Sequence, residues 1–97
     1  MSIFRIVTLK LQPEKVNDFI ALFDAAKPTI MAMPGCEFVE LILDPNDPHT
    51  IETQSSWEQE SDLENYRNSD FFLTTWRKVK PLFASKASAV SYYTDFT

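Results

Sequence analysis

One glycine, one cysteine and one histidine in 97 residues leave this sequence few of the ready-made motifs of enzyme chemistry. A single glycine, Gly35, is too few for a phosphate-cradling loop, a dinucleotide-binding turn or a nucleophile elbow. A single cysteine, Cys36, forbids an intrachain disulfide framework, and with His49 as the one imidazole no zinc-spaced set of Cys and His can be assembled. The cysteine usage makes a reducing cytoplasm the expected compartment. Lys and Arg number 9 against 14 Asp and Glu, a net charge of −5, and the cations are scattered. Nucleic acid and anionic membrane surfaces are therefore not expected partners, because phosphate binding needs clustered positive charge. No apolar run approaches the roughly 20 residues of a membrane span, and the N-terminus lacks the basic and apolar regions of a secretory signal.

What is plentiful is aromatic: 8 Phe, 3 Tyr and 2 Trp, enough for a dense core, a self-association surface or both. They concentrate around Ser56–Trp76. Ser61-Asp-Leu-Glu64 fits a capping box, and Ser69 before Asp70 is a second N-cap, with its acid where the helix dipole favours one. Phe72, Trp76, Val79 and Phe83 share one helical face, and Pro81 predicts an end near Val79 or Lys80.

Before this stretch, Ile3–Leu11 reads as a strand with apolar residues on both faces, Arg5 sharing the parity of Ile3, Val7 and Leu9. Pro13-Glu14 opens a helix whose buried face is Val16, Phe19, Ile20, Phe23, Ala26 and Ile30. Pro28 predicts its end or a kink near Lys27. Met33-Pro-Gly-Cys36 is a type II turn, with Gly35 at the position of positive φ. Cys36–Leu43 is the next strand, with Cys36, Phe38, Glu40 and Ile42 on one face. Asp44–Pro48 turns the chain into a return strand, His49–Trp57. That strand is unusually polar at Thr53, Gln54, Ser55 and Ser56, which reads as a solvated face or, as the alternative, hydroxyls lining a cavity. Ser88–Phe96 is a final strand, with Val90, Tyr92 and Phe96 on one side.

The order strand, helix, strand, strand, helical segment, strand predicts a single α+β domain over 1–97. This is the ferredoxin-like βαββαβ arrangement, a four-stranded antiparallel sheet with helices on one face. Apolar groups on the uncovered face predict packing against a second copy, as a homodimer.

These features, taken together, resemble the antibiotic biosynthesis monooxygenase (ABM) domain family of dimeric α/β barrels. The residues carrying the resemblance are Lys10-Leu-Gln-Pro-Glu14, Met33-Pro-Gly-Cys36, Asp44–Pro48, Trp57-Glu58 and Ser69-Asp70-Phe-Phe72. The resemblance implies three possible roles. One is a cofactor-independent oxygenase acting on small aromatic or quinol-type substrates. The second is a non-catalytic dimeric module that binds a small apolar molecule, and the third an isomerase or lactone-processing enzyme. Against the family's haem-degrading branch, Trp57 and Ser69–Phe72 match, but Trp76 stands where the proximal His is expected and Val7 where the first-strand Asn is expected. An indole cannot ligate iron, so no cofactor or metal is expected.

For the oxygenase reading, Trp57, Tyr66, Phe72 and Trp76 are the candidate walls of an aromatic cavity. His49 is a candidate base as the sole imidazole, although its position at a loop–strand junction suits an exposed turn residue. Arg5 could hold an anionic oxygen, with a structural pair to Glu40 the expected role. Aromatic residues at helical spacing also serve simply as core.

Overall fold

The computed structural model describes residues 2–94. Four strands, β1 (Ser2–Lys10), β2 (Cys36–Asp44), β3 (Asp47–Trp57) and β4 (Ser88–Thr94), form one antiparallel sheet in the order β2-β3-β1-β4. The helices are α1 (Val16–Met31), α2 (Glu60–Arg67) and α3 (Asp70–Val79). The predicted ferredoxin-like α+β order is thus the observed one, though Phe96, assigned to the last strand, lies outside the described residues.

The core lies between one face of the sheet and the helices. Ile3, Leu9, Val39, Ile51 and Trp57 meet Phe19, Phe23, Ala26 and Ile30 of α1, Leu63 of α2 and Val79 of α3. Ile51 and Leu11 are essentially sealed from solvent, each burial stabilising the fold by about 1.5–3 kcal/mol. The end of β1 is tied to the exit of α3. Leu11 bridges Phe83, the Lys10 carbonyl accepts from the Ala84 amide at 2.7 Å, and the Gln12 amide donates to the Leu82 carbonyl at 3.0 Å.

Several local expectations are corrected. Of the end or kink expected near Lys27, the end is overturned: α1 runs through Pro28 to Met31. Both Asp24, whose carbonyl loses its partner, and Pro28 lie on the exposed side, where water can satisfy the freed group while Ala26 and Ile30 hold the helix to the core. The capping box at Ser61 does not form. α2 begins at Glu60, Gln59 occupies the N-cap position, and the Gln59 carbonyl already accepts from the Asp62 amide at 3.1 Å. The hairpin turn is shorter than its composition suggests. Only Pro45-Asn46 is outside strand, closed by the Asn46 amide donating to Asp44 Oδ1 at 2.8 Å.

The type II turn is present as expected: Gly35 has φ +80°, and the Cys36 amide donates to the Met33 carbonyl at 3.1 Å. A register shift follows at once, with Cys36 opposite Trp57 and Phe38 opposite Ser56, so Glu37 is an extra residue. Such a bulge flips the parity of what precedes it. Cys36 therefore faces the helices with Val39, not the outer face with Phe38. Ser69 caps α3 as expected, accepting from the Phe72 amide at 3.1 Å.

Candidate functional site

Between the sheet and the helices lies a cavity of about 350 Å³. Its helical walls follow from spacing: Phe72, Thr75, Trp76 and Val79 of α3 stand on one face, as do Phe19, Leu22, Phe23, Ala26 and Ile30 of α1. Its floor is the inward parity of the strands, Arg5, Val7 and Leu9 of β1 with Thr53, Ser55 and Trp57 of β3. Tyr66 and Arg67 close it from the last turn of α2.

The four aromatic residues expected to gather here do so, in a continuous chain. Trp57 and Tyr66 stack with centroids 5.0 Å apart, Tyr66 meets Phe72 edge-on at 5.1 Å, and Phe72 stacks on Trp76 at 6.0 Å. Trp76 then meets Phe83 edge-on at 5.4 Å. Trp57 differs from the other three in being 0% exposed. Its indole stacks on Tyr66 and donates to Ser55 Oγ at 3.1 Å, so it closes the floor as a core residue with almost no surface of its own. Tyr66, Phe72 and Trp76 are half-buried and form the wall proper.

The polar strand divides between the two faces of the sheet, with Gln54 and Ser56 on the outer one. Thr53 and Ser55 face inward among the cavity lining, while Ser56 faces outward and is buried by donating to Glu37 at 2.7 Å. Arg5 also lines the cavity, opposite Ser55 and Ser91. Within the chain the expected pair with Glu40 does not form, because Glu40 lies opposite Gln54 on the other face of the sheet. His49 is exposed near the start of β3 and does not line the cavity. Arg67 and Thr75 are lining residues that sequence reasoning missed. Arg67 reads in sequence as an ordinary cation in a last helical turn, with nothing to single it out.

Charge distinguishes this space from a packed core. Arg5 and Arg67 are its charged lining residues, and no Asp, Glu or His contributes. Among the described residues the one ion pair is Lys15–Asp18, so neither guanidinium is neutralised by a carboxylate. Burial, then the charge of Arg67, lowers the Arg5 pKa, with Tyr66 opposing. Burial, then neighbouring Cys36, pushes the Tyr66 phenol up to about 12, with Arg5 pulling the other way. Tyr66 therefore stays protonated near neutral pH, a donor and not a base. Burial, then Glu37, likewise raises the Cys36 thiol.

The lining does not fit an axial haem ligand. It contains no His, Cys or Met, Trp76 is held between Phe72 and Phe83, and the Tyr66 phenol resists ionisation.

Comparison with known proteins agrees with the geometry. The family model described as antibiotic biosynthesis monooxygenase matches residues 2–78. No curated protein matches the chain. Among solved structures, a conserved protein from Methanosarcina mazei Go1 superposes with TM-score 0.93 at 18% identity, covering 98% of this chain and 94% of that one. Rv0793 from Mycobacterium tuberculosis gives 0.90 at 16% identity, with 100% and 98% covered. An antibiotic biosynthesis monooxygenase gives 0.88 at 15% identity, with 96% and 98% covered. At these identities the likeness is one of fold.

Proposed function

The chain belongs to the antibiotic biosynthesis monooxygenase family, and we propose that it is a cofactor-independent monooxygenase for a small phenolic or quinol-type aromatic. The observation carrying this is the cavity of about 350 Å³, walled by Tyr66, Phe72 and Trp76 and charged by arginine. Its volume is at the small end of ligand sites, which run to about 300–1,000 Å³.

The chemistry asks little of the protein. An ionised phenol or enol passes an electron to oxygen; one oxygen atom enters the ring, and the other leaves as water with two substrate hydrogens. The substrate must first lose a proton, and the lining supplies no carboxylate or imidazole to take it. Positive charge serves instead, with the proton leaving to water at the mouth. A guanidinium about 4 Å from an oxyanion, at an effective dielectric near 20, stabilises it by about 4 kcal/mol. That is roughly three pKa units, enough to bring an ordinary phenol near neutrality. Tyr66 shows the limit of this effect, since burial outweighs the pull of Arg5 there. The reacting oxygen therefore sits in direct contact with Arg5, while Tyr66 donates to it or to the incoming oxygen.

Oxygen-electrode assays with 1,4-naphthohydroquinone and dithranol, with mass analysis for one added oxygen, test the reading. Uptake above the protein-free rate is expected, falling by about tenfold or more in Arg5→Gln. No uptake across a panel of hydroquinones, naphthohydroquinones and anthrones overturns it. The absence of a base among the lining residues favours one second reading, a binding module without turnover. Saturable binding with no oxygen consumption identifies that case.

The outer face of the sheet carries Phe4, Ile6, Phe38, Ile42, Val90 and Tyr92, with Phe4 and Phe38 in contact at 6.0 Å between centroids. Ile42, Val90 and Tyr92 are 37%, 48% and 54% exposed. A surface of this kind on a small domain favours pairing with a second copy. A monomeric mass by analytical ultracentrifugation at micromolar concentration excludes the homodimer. No helix of the described residues is long and apolar enough to cross a membrane.

A further inference from the structure

We infer that the cavity is built for an aromatic acid: its ligand carries a permanently anionic group, such as a carboxylate, held between Arg5 and Arg67. This rests on reading the cavity as a ligand site, but not on turnover.

The two arginines enter from opposite sides. Arg5 rises from the middle of β1, on the sheet floor between Ile3 and Val7, while the exposed Arg67 reaches in from the end of α2. Both line the one cavity, and the charge of Arg67 bears on Arg5. No carboxylate lines the same space, and none among the described residues pairs with either guanidinium. Two like charges held together without a counterion are unfavourable for the empty protein. A bound anion reverses that sign. The planar guanidinium fork matches a carboxylate with two parallel N–H···O bonds, and low dielectric strengthens them.

The rest of the protein sharpens the point. Its net charge is −5, so an anion approaching most of the surface is repelled, and this cavity is a local exception to the general field. The aromatic wall is set beside the two cations: Tyr66 is the residue before Arg67, and the hydroxyls of Thr53 and Thr75 lie in the same lining. A flat ring against Tyr66, Phe72 and Trp76 thus places an attached carboxylate within reach of both cations. The small volume limits the ring system to a compact one.

The test is isothermal titration of the full chain with 2-naphthoate and with 2-naphthamide, the same ring without the charge. The acid is expected to bind at least tenfold tighter at neutral pH, and added salt is expected to weaken it alone. Arg67→Gln, a change at an exposed position, is expected to shrink the preference several-fold. Arg5→Gln combined with it is expected to abolish the preference. Arg5→Lys keeps the charge and part of the preference, and so separates loss of charge from loss of fold; circular dichroism checks each variant. Equal affinity for acid and amide, no binding of the acid, or a preference that survives the double substitution in a folded protein overturns the inference. Oxygen uptake is measured apart. An intact acid preference with no turnover of any substrate leaves this inference standing and removes the oxygenase reading.

Discussion

Replacing Gly35 by Ala is predicted to be among the most damaging small changes available to this chain, and the reason is geometric. Gly35 has φ +80°, and a Cβ built there would lie 2.6 Å from Asp62 Cβ, with the Asp62 carboxyl nearer still. The backbone is pinned on both sides. The next amide, that of Cys36, closes the turn onto Met33, and the Gly35 carbonyl accepts from the Glu58 amide at 2.8 Å. The residue cannot rotate away without losing contacts that join β2 to the end of β3. The left-handed backbone costs about 1–2 kcal/mol for a residue with a Cβ. The collision adds about 1–3 kcal/mol, as overpacking generally does. The sum, about 2–5 kcal/mol, is a large share of the ~5–15 kcal/mol typical of whole domains. Urea denaturation followed by circular dichroism, at fixed protein concentration, reads it as a midpoint lowered by roughly 1 M or more. A double-mutant cycle divides the two causes. Asp62→Gly costs about 1 kcal/mol by itself as a helical glycine, and in its background Gly35→Ala should cost only the backbone share. A Gly35→Ala loss below about 1 kcal/mol, or one that Asp62→Gly leaves unchanged, refutes the reasoning.

Trp57→Ala should cost about 3–5 kcal/mol in the same denaturation assay, since it empties a fully buried site and orphans Ser55. A loss confined to ligand affinity would instead mean that Trp57 is a wall and not a core residue. Ser69→Ala should cost about 1 kcal/mol through the lost cap of α3, read as a lowered urea midpoint, while Ser69→Asp retains most of it. The Tyr66 phenol, raised to about 12 by burial, should titrate well above the ordinary tyrosine range when absorbance near 295 nm is followed with pH. Because its folded pKa lies above the unfolded value, its contribution is fully present below about pH 10 and is lost as pH rises through about 12. Two units correspond to about 2–3 kcal/mol, and Tyr66→Phe should abolish that alkaline loss. An identical alkaline decline in Tyr66→Phe would show that other groups cause it.

The fold was legible because its signals were local and redundant. Pro34-Gly35, Ser69-Asp70 and the strand alternations each specify one conformation by their own chemistry. What misled was local chemistry overridden from outside. Pro28 would end an isolated helix, yet α1 continues because the residues on either side of it are anchored in the core. Ser61 looks like a cap, but the Gln59 carbonyl starts α2 before Ser61 can act as one. The bulge at Glu37 carries no composition signal, and it alone decides which way Cys36 points. Within the cavity lining, Phe72 and Trp76 were legible from helical spacing. Arg67 was not, because a cation in a last helical turn is equally expected on any solvated helix. The Arg5–Glu40 pair does not form within the chain because β3 lies between their strands and the two residues stand on opposite faces of the sheet, a register that emerges only on pairing.

One serine makes the aromatic wall a single body. Ser69 Oγ donates to the Tyr66 carbonyl at 2.7 Å and accepts from the Phe72 amide at 3.1 Å, so the corner between α2 and α3 is locked by one hydroxyl. Tyr66 and Phe72 are thereby held edge to face, and Trp76 follows one turn later. The wall is consequently as much a product of folding as of function, and rings so placed would be present in a plain core. Arg5 is different. On the inward parity of a central strand, with Ile3 and Leu9 buried on the same face, almost any apolar residue would favour folding more than a guanidinium with no carboxylate partner among the described residues. Stability does not account for its presence there, nor for a second cation brought to the same space. On the proposed reading of the cavity, the aromatic residues define where a ligand would fit, and the two arginines what charge it would carry.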